Sequence, residues 1–255
     1  MLKALGGDTP GNENTKASAS TDPRIAAIVA ALSRPGAIVT GIGSRETPES
    51  ELILLTRIGA AVEKRDGRGR SGGAGGADLA FERGFSDPRN IDVIVPWKGF
   101  LPKGMSQRDV DAFLGRPRPA SGPGAPVMLP WDKREEAEEQ ASHYHPAWHK
   151  CTPGAKSLHT RNIPQVVGLQ LDRPADAVVA WTKDGKATGG TGQAIRMAED
   201  IGVPVANLKN PDERRAVMQA LGLEENGQAM DRGKQEAMAR AHAQEMQGRG
   251  RFGSW

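Results

Sequence analysis

The chain has 255 residues, 37% of them hydrophobic and 25% charged, enough for one α/β domain with tails or for two small domains. No apolar stretch approaches the roughly 20 residues of a bilayer span, and Met1 to Asp8 lack a secretory apolar core, so no membrane partner is expected. The single cysteine, Cys151, excludes an intramolecular disulfide and points to a reducing, cytoplasmic setting, while a net charge of +3 permits a nucleic-acid partner without requiring one.

Residues 1–22 are rich in Gly, Asn, Ser and Thr and predict a solvated arm. An amphipathic helix over Arg24–Leu32 stops at Pro35-Gly36, and Ala37–Thr40 reads as a strand that feeds the turn Gly41-Ile42-Gly43-Ser44-Arg45. Thr47-Pro48-Glu49 opens the next helix with Thr47 as its cap, and Leu52, Leu55, Ile58, Gly59 and Val62 form its buried stripe. The following strand falls just before Ser71, yet Asp66 to Arg70 hold no apolar residue, so a short or poorly buried strand is expected there. After Ser71–Asp78 come a helix through Leu79 and Phe81 and a third strand, Ile91–Pro96. Residues 101–130 are an inserted Gly/Pro-rich loop with a helical turn near Asp109–Leu114. Helices over the charged stretch at Lys133–Glu136 and over Ala155–Gly168 precede the buried strand Ala177–Trp181, which runs into Gly189-Gly190-Thr191-Gly192, a helix and a last strand, Val203–Leu208. A helix after Pro211 ends the domain near 222, and 223–255 form a partly helical tail whose Arg249, Arg251, Phe252 and Trp255 have a composition able to touch nucleic acid or a protein surface. The pattern is a doubly wound, mostly parallel α/β sheet over 23–222, flanked by two arms.

A glycine run between a parallel strand and a helix lets backbone N–H groups approach an anion, most often phosphate. Three such runs are present: Gly41, Gly43, Ser44 and Arg45; Ser71, Gly72, Gly73, Ala74, Gly75, Gly76 and Asp78; and Gly189, Gly190, Thr191 and Gly192. In an open α/β sheet they converge on the carboxyl edge. None matches the dinucleotide fingerprint or the P-loop.

The first two runs, together with Pro96–Phe100, His145–Trp148, Leu158–Asn162, Trp181-Thr182 and Gly189–Ala194, resemble the SLOG superfamily of Rossmann-like proteins, and most of all its DprA-like (DNA-processing protein A) members from tailed phages. The resemblance spans about 36–209 and implies a phosphate site for a nucleotide or single-stranded nucleic acid, with Ser44 and Arg45 at the first turn, Ser71–Asp78 as the second cradle and Gly189–Gly192 as the third. The superfamily's phosphoribohydrolases carry Pro-Gly-Gly-x-Gly-Thr-x-x-Glu. Aligned on Gly189–Gly192, this chain has Arg196 where the catalytic Glu would stand, which favours holding an anion over cleaving a glycosidic bond.

Trp97 and Trp181 each follow a strand and are candidates to stack on a base or to cover the sheet edge, and His159 and Arg161 are candidates for anion contact. Of the carboxylates near the loops, Glu46, Glu82 and Asp184, no pair has a spacing that marks acid–base catalysis. His143, His145, His149 and Cys151 have zinc-ligand chemistry, but Pro146 interrupts the helix that would align them, so packing around Trp148 is expected and no metal site. Three functions stay open: a nucleotide or single-strand binder, a subunit of a homo-oligomer or a larger assembly such as a phage particle, engaged through its arms, and an N-glycosidic hydrolase. No cofactor is implied beyond a phosphate-bearing ligand.

Overall fold

The computed structural model describes residues 22–224; almost all of the two arms expected from composition, including Phe252 and Trp255, lie outside the described residues. Fourteen elements follow in chain order: α1 (Pro23–Ser33), β1 (Ile38–Gly43), α2 (Glu49–Glu63), β2 (Arg68–Ser71), α3 (Ala77–Arg83), β3 (Ile91–Val95) and α4 (Gln107–Leu114), then β4 (Val127–Met128), α5 (Arg134–Tyr144), α6 (Pro153–Val167), β5 (Ala177–Trp181), α7 (Gly189–Asp200), β6 (Val205–Asn207) and α8 (Pro211–Leu221). The six strands form one all-parallel sheet in the order β4-β3-β2-β1-β5-β6. The order reverses between β1 and β5, the switch point at which open α/β sheets place ligands.

Alternation along β5 shows how the two layers are built. Ala177, Val179 and Trp181 join the core under α1, α2, α3, α4 and α8, while Val178 and Ala180 join the one under α5, α6 and α7. Among the described residues no helix is long and apolar enough to cross a membrane.

Three expectations are corrected. The turn after β1 starts later, because the strand runs on through Gly43. A Cβ at Gly41 would overlap the Phe81 ring, and one at Gly43 would lie 2.6 Å from Ala77 Cβ, so these two glycines let α3 seat directly on the strand. Thr47 does not cap α2: Pro48 is the cap residue, and the Thr47 hydroxyl donates to the Ser44 carbonyl at 2.6 Å. β2, expected to be short or poorly buried, is short at four residues but not poorly buried: it is an interior strand with Gly69, Arg70 and Ser71 all buried. A Cβ on Gly69 would lie 2.5 Å from Phe85 Cζ, so that ring fills the apolar space its own strand lacks. On the opposite face Arg70 Nη1 donates to the carbonyls of Val166 and Arg173 at 3.2 and 2.8 Å, placing a cation at the C-terminal end of α6.

The 101–130 insertion is also more ordered than its composition suggests. Ser106 and Asp109 form a capping box, and Val110, Phe113 and Leu114 of α4 join the core. Arg118 then reaches back to Glu82 in a bidentate pair with both side chains almost fully buried.

Candidate functional site at the sheet switch point

The carboxyl ends of β1, β2, β3 and β5 open into a cleft of about 620 Å³, within the usual range for small-molecule sites. Gly43, Ser44 and Arg45 enter it from β1, Ala74, Gly75 and Asp78 from the turn after β2, and Trp97, Phe100 and Lys103 from the segment after β3. Thr182, Lys183 and the first turn of α7, Gly189 to Thr191, close the β5 side. One face of α6 forms the remaining wall with Leu158, His159, Arg161, Asn162 and Gln165.

The wall is held by charge and hydrogen bonds. Asp78 is buried; its Oδ1 accepts from Gly43 N at 3.2 Å and its Oδ2 from Arg161 Nη1 at 3.3 Å. Burial pushes the Asp78 carboxyl up, against the Arg161 charge and the Gly43 and Ala74 amides that favour its ionised form. Gly72 makes room for this pair, since a Cβ there would overlap the Arg161 guanidinium. Arg161 Nε and Gln165 Nε2 are buried donors with no partner among the described residues, and both side chains are more than nine-tenths buried.

The N-terminus of α7 is open to the cleft. Thr188, its cap residue, makes no capping bond, because its hydroxyl donates instead to Asp184 Oδ1 at 2.8 Å. Gly192 N–H is the first to find an intrahelical acceptor, Thr188 O at 3.0 Å, which leaves the amides of Gly189, Gly190 and Thr191 at the dipole's positive end. Asn162 Nδ2 fixes that turn by donating to Gly190 O at 3.2 Å and to Gln193 Oε1 at 3.0 Å. Ser44 Oγ accepts from Glu46 N at 3.0 Å and keeps its own proton to donate.

The structure sorts the expected site residues. Gly43, Ser44, Arg45, Ala74, Gly75, Asp78, Trp97, Gly189, Gly190 and Thr191 line the cleft, as do His159 and Arg161. Gly41, Ser71, Gly72, Gly73, Gly76 and Gly192 do not; they lie in the supporting strands and turns. Trp181 is 5% exposed and packs in the core, because the alternation of β5 turns it toward the α2–α3 layer. Arg196 is committed elsewhere: Nε and Nη2 donate to Tyr144 O at 3.0 and 2.8 Å and Nη1 to Ala187 O at 2.6 Å, tying α7 to α5. Trp97 is 42% exposed and stands edge-on to Phe100 with ring centroids 5.3 Å apart. Of the carboxylates near the loops, Glu46 reaches the cleft, Glu82 pairs with Arg118, and Asp184 accepts from Lys186 N and Thr188 Oγ1. Gln165 went unnoticed in the sequence, although a polar residue four positions after Arg161 on a buried helix face was the available signal.

Fold and site together define a Rossmann-like α/β protein with a ligand-sized cleft at its switch point. Comparison with family models, with curated proteins and with solved structures finds no match to this chain.

Proposed function

We propose that the cleft binds the phosphate-bearing part of a nucleotide, free or at the end of a single-stranded nucleic acid, as the resemblance to DprA-like proteins implies. The observation that carries this reading is the open N-terminus of α7, where the amides of Gly189, Gly190 and Thr191 have no intrahelical acceptor and the three residues line the cleft. The open N-terminus of α7 and the cations Arg45, Lys103 and Lys183 favour an anionic ligand, and the half-exposed Trp97 beside Phe100 offers an aromatic face for a base.

The test is a titration of the full chain with adenine and guanine nucleotides, ribose 5-phosphate, inorganic phosphate and a short oligothymidylate, followed by calorimetry and thermal shift. Arg45→Ala removes an exposed cation from the cleft, so it is expected to melt near the wild-type temperature while binding nucleotide more weakly. Trp97→Ala is expected to weaken nucleotides and spare ribose 5-phosphate. Chromatography for free base in the same samples separates binding from glycosidic hydrolysis. If no phosphate-bearing compound shifts the melting temperature, the reading fails.

A further inference from the structure

Beside the cleft, His145, Cys151 and His159 each offer a donor atom within 4.8 Å of the other two. Sequence spacing alone does not show this group, because it forms across a corner: His145 follows α5, Cys151 lies just before α6, and His159 sits within α6. Zinc bonds of ~2.3 Å to sulfur and ~2.0 Å to nitrogen at a tetrahedral angle put the two donor atoms roughly 3.5 Å apart. Cys151 Sγ stands 3.7 Å from His145 Nδ1.

The surrounding bonds present both imidazoles in the form a metal takes. Gln193 Nε2 donates to Ala141 O at 3.1 Å, which turns Oε1 of the same amide toward His159 Nδ1 at 2.9 Å. That oxygen only accepts, so His159 carries its proton on Nδ1 and its lone pair on Nε2. A fixed N–H donor on the far side of the ring is the support that metal-bound histidines usually have. His145 Nδ1 accepts a long bond, 3.2 Å, from Ala147 N and is therefore unprotonated; a metal ion on that lone pair replaces one weak contact. Trp148 shelters the group, its ring centroid 6.3 Å from that of His145 and 6.5 Å from that of His159.

We propose that His145, Cys151 and His159 form a binding site for a zinc-type divalent cation, bound by one thiolate and two imidazoles. Binding releases the thiol proton. No fourth protein donor joins the three among the described residues, so the remaining tetrahedral position goes to water or to an acceptor atom of a ligand, the arrangement of an open site. His159 also lines the cleft, which places the cation at the cleft's α6 wall.

The test uses Co²⁺ and Zn²⁺ alone with the reduced, metal-free full chain. Co²⁺ is expected to bind at one equivalent with a near-ultraviolet sulfur-to-cobalt charge-transfer band, and Zn²⁺ to displace it. Cys151→Ser is expected to lose the band and His159→Gln the tight binding. Gln193→Leu is expected to weaken binding by roughly 10–100-fold. His149→Ala, an exposed neighbour outside the group, is expected to change nothing. Absence of the band in the wild-type chain overturns the proposal whatever the variants do, as does metal binding that survives both Cys151→Ser and His159→Gln.

Discussion

Gly190→Asp separates the architecture of the cleft from its proposed ligand, because the two respond with opposite signs. Gly190 is the second residue of α7, it does not have a positive φ, and an added Cβ meets nothing nearer than His159 Cε1 at 4.0 Å. In the free protein the substitution replaces the poorest ordinary helix former, a gain of a few tenths of a kcal/mol, and sets a carboxylate at the positive end of the dipole, worth about 0.3–1 kcal/mol. The sum is about 1 kcal/mol of added stability, or roughly 2–4 °C for a domain of this size. For an anionic ligand the same carboxylate is repulsive. Two unit charges about 5 Å apart at an effective dielectric near 20 interact by ~3 kcal/mol, which is more than ~100-fold in affinity. Gly190→Asn supplies nearly the same volume without the charge and is expected to lose far less affinity. Differential scanning calorimetry of the free variants and titration with nucleotide read both arms. A Gly190→Asp variant that melts normally and binds nucleotide as tightly as wild type would refute the placement of phosphate at the α7 N-terminus.

Three further substitutions probe the scaffold. Gly41→Ala drives a methyl into the Phe81 ring and is expected to cost about 3 kcal/mol or more, read by urea denaturation; wild-type stability would show that α3 is not held by that contact. Arg196→Met removes three bonds to carbonyls and is expected to cost about 2–4 kcal/mol while leaving nucleotide affinity within about threefold of wild type. A large affinity loss at preserved stability would return Arg196 to the ligand. Burial alone would raise the Glu63 carboxyl, but bonds from Ser86 N, Ser86 Oγ, Asp87 N and Asn90 Nδ2 outweigh it and hold the group below its ordinary value of 4.5. A lowered native pKa stabilises the fold above the unfolded value and is lost as pH falls through the native one, so Glu63→Gln is expected to flatten the melting temperature below about pH 4.5. Identical wild-type and variant slopes would remove Glu63 from the acid response.

Sequence periodicity located the elements best where one physical rule governs them. The runs at β1 and β5 and the stripe Leu52, Leu55, Ile58 and Val62 of α2 are apolar because both faces of a parallel sheet are covered. β2 escaped that rule, since its burial depends on a ring borrowed from Phe85 and on helix carbonyls presented to Arg70, neither of which is local in sequence. Trp181 and Arg196 were misplaced for a related reason: residue type and chain position say what a side chain could contact, but strand alternation and helix phase decide which layer receives it. The His145, Cys151 and His159 group is not legible in the sequence, because Pro146 breaks the helix that would align the histidines and the chain then turns a corner that brings His159 of α6 beside them.

The three glycine segments resemble one another in sequence and do different physical work. At Gly41 and Gly43 the missing side chain is used inward, to bring α3 against β1, and that close seating carries Asp78 to within 3.2 Å of Gly43 N. At Gly72 it is again used inward, to admit the Arg161 guanidinium that answers Asp78 from α6. At Gly189 and Gly190, by contrast, an added Cβ would meet nothing nearer than 4.0 Å, and the bare backbone faces the cleft, as it also does at Gly75. The first two segments therefore build and charge the wall, and the third presents it. Substitutions of Gly41, Gly43 and Gly72 are expected to show as loss of fold, and those of Gly189 and Gly190 as loss of ligand, a division that composition alone does not reveal because each segment reads as the same glycine-rich run.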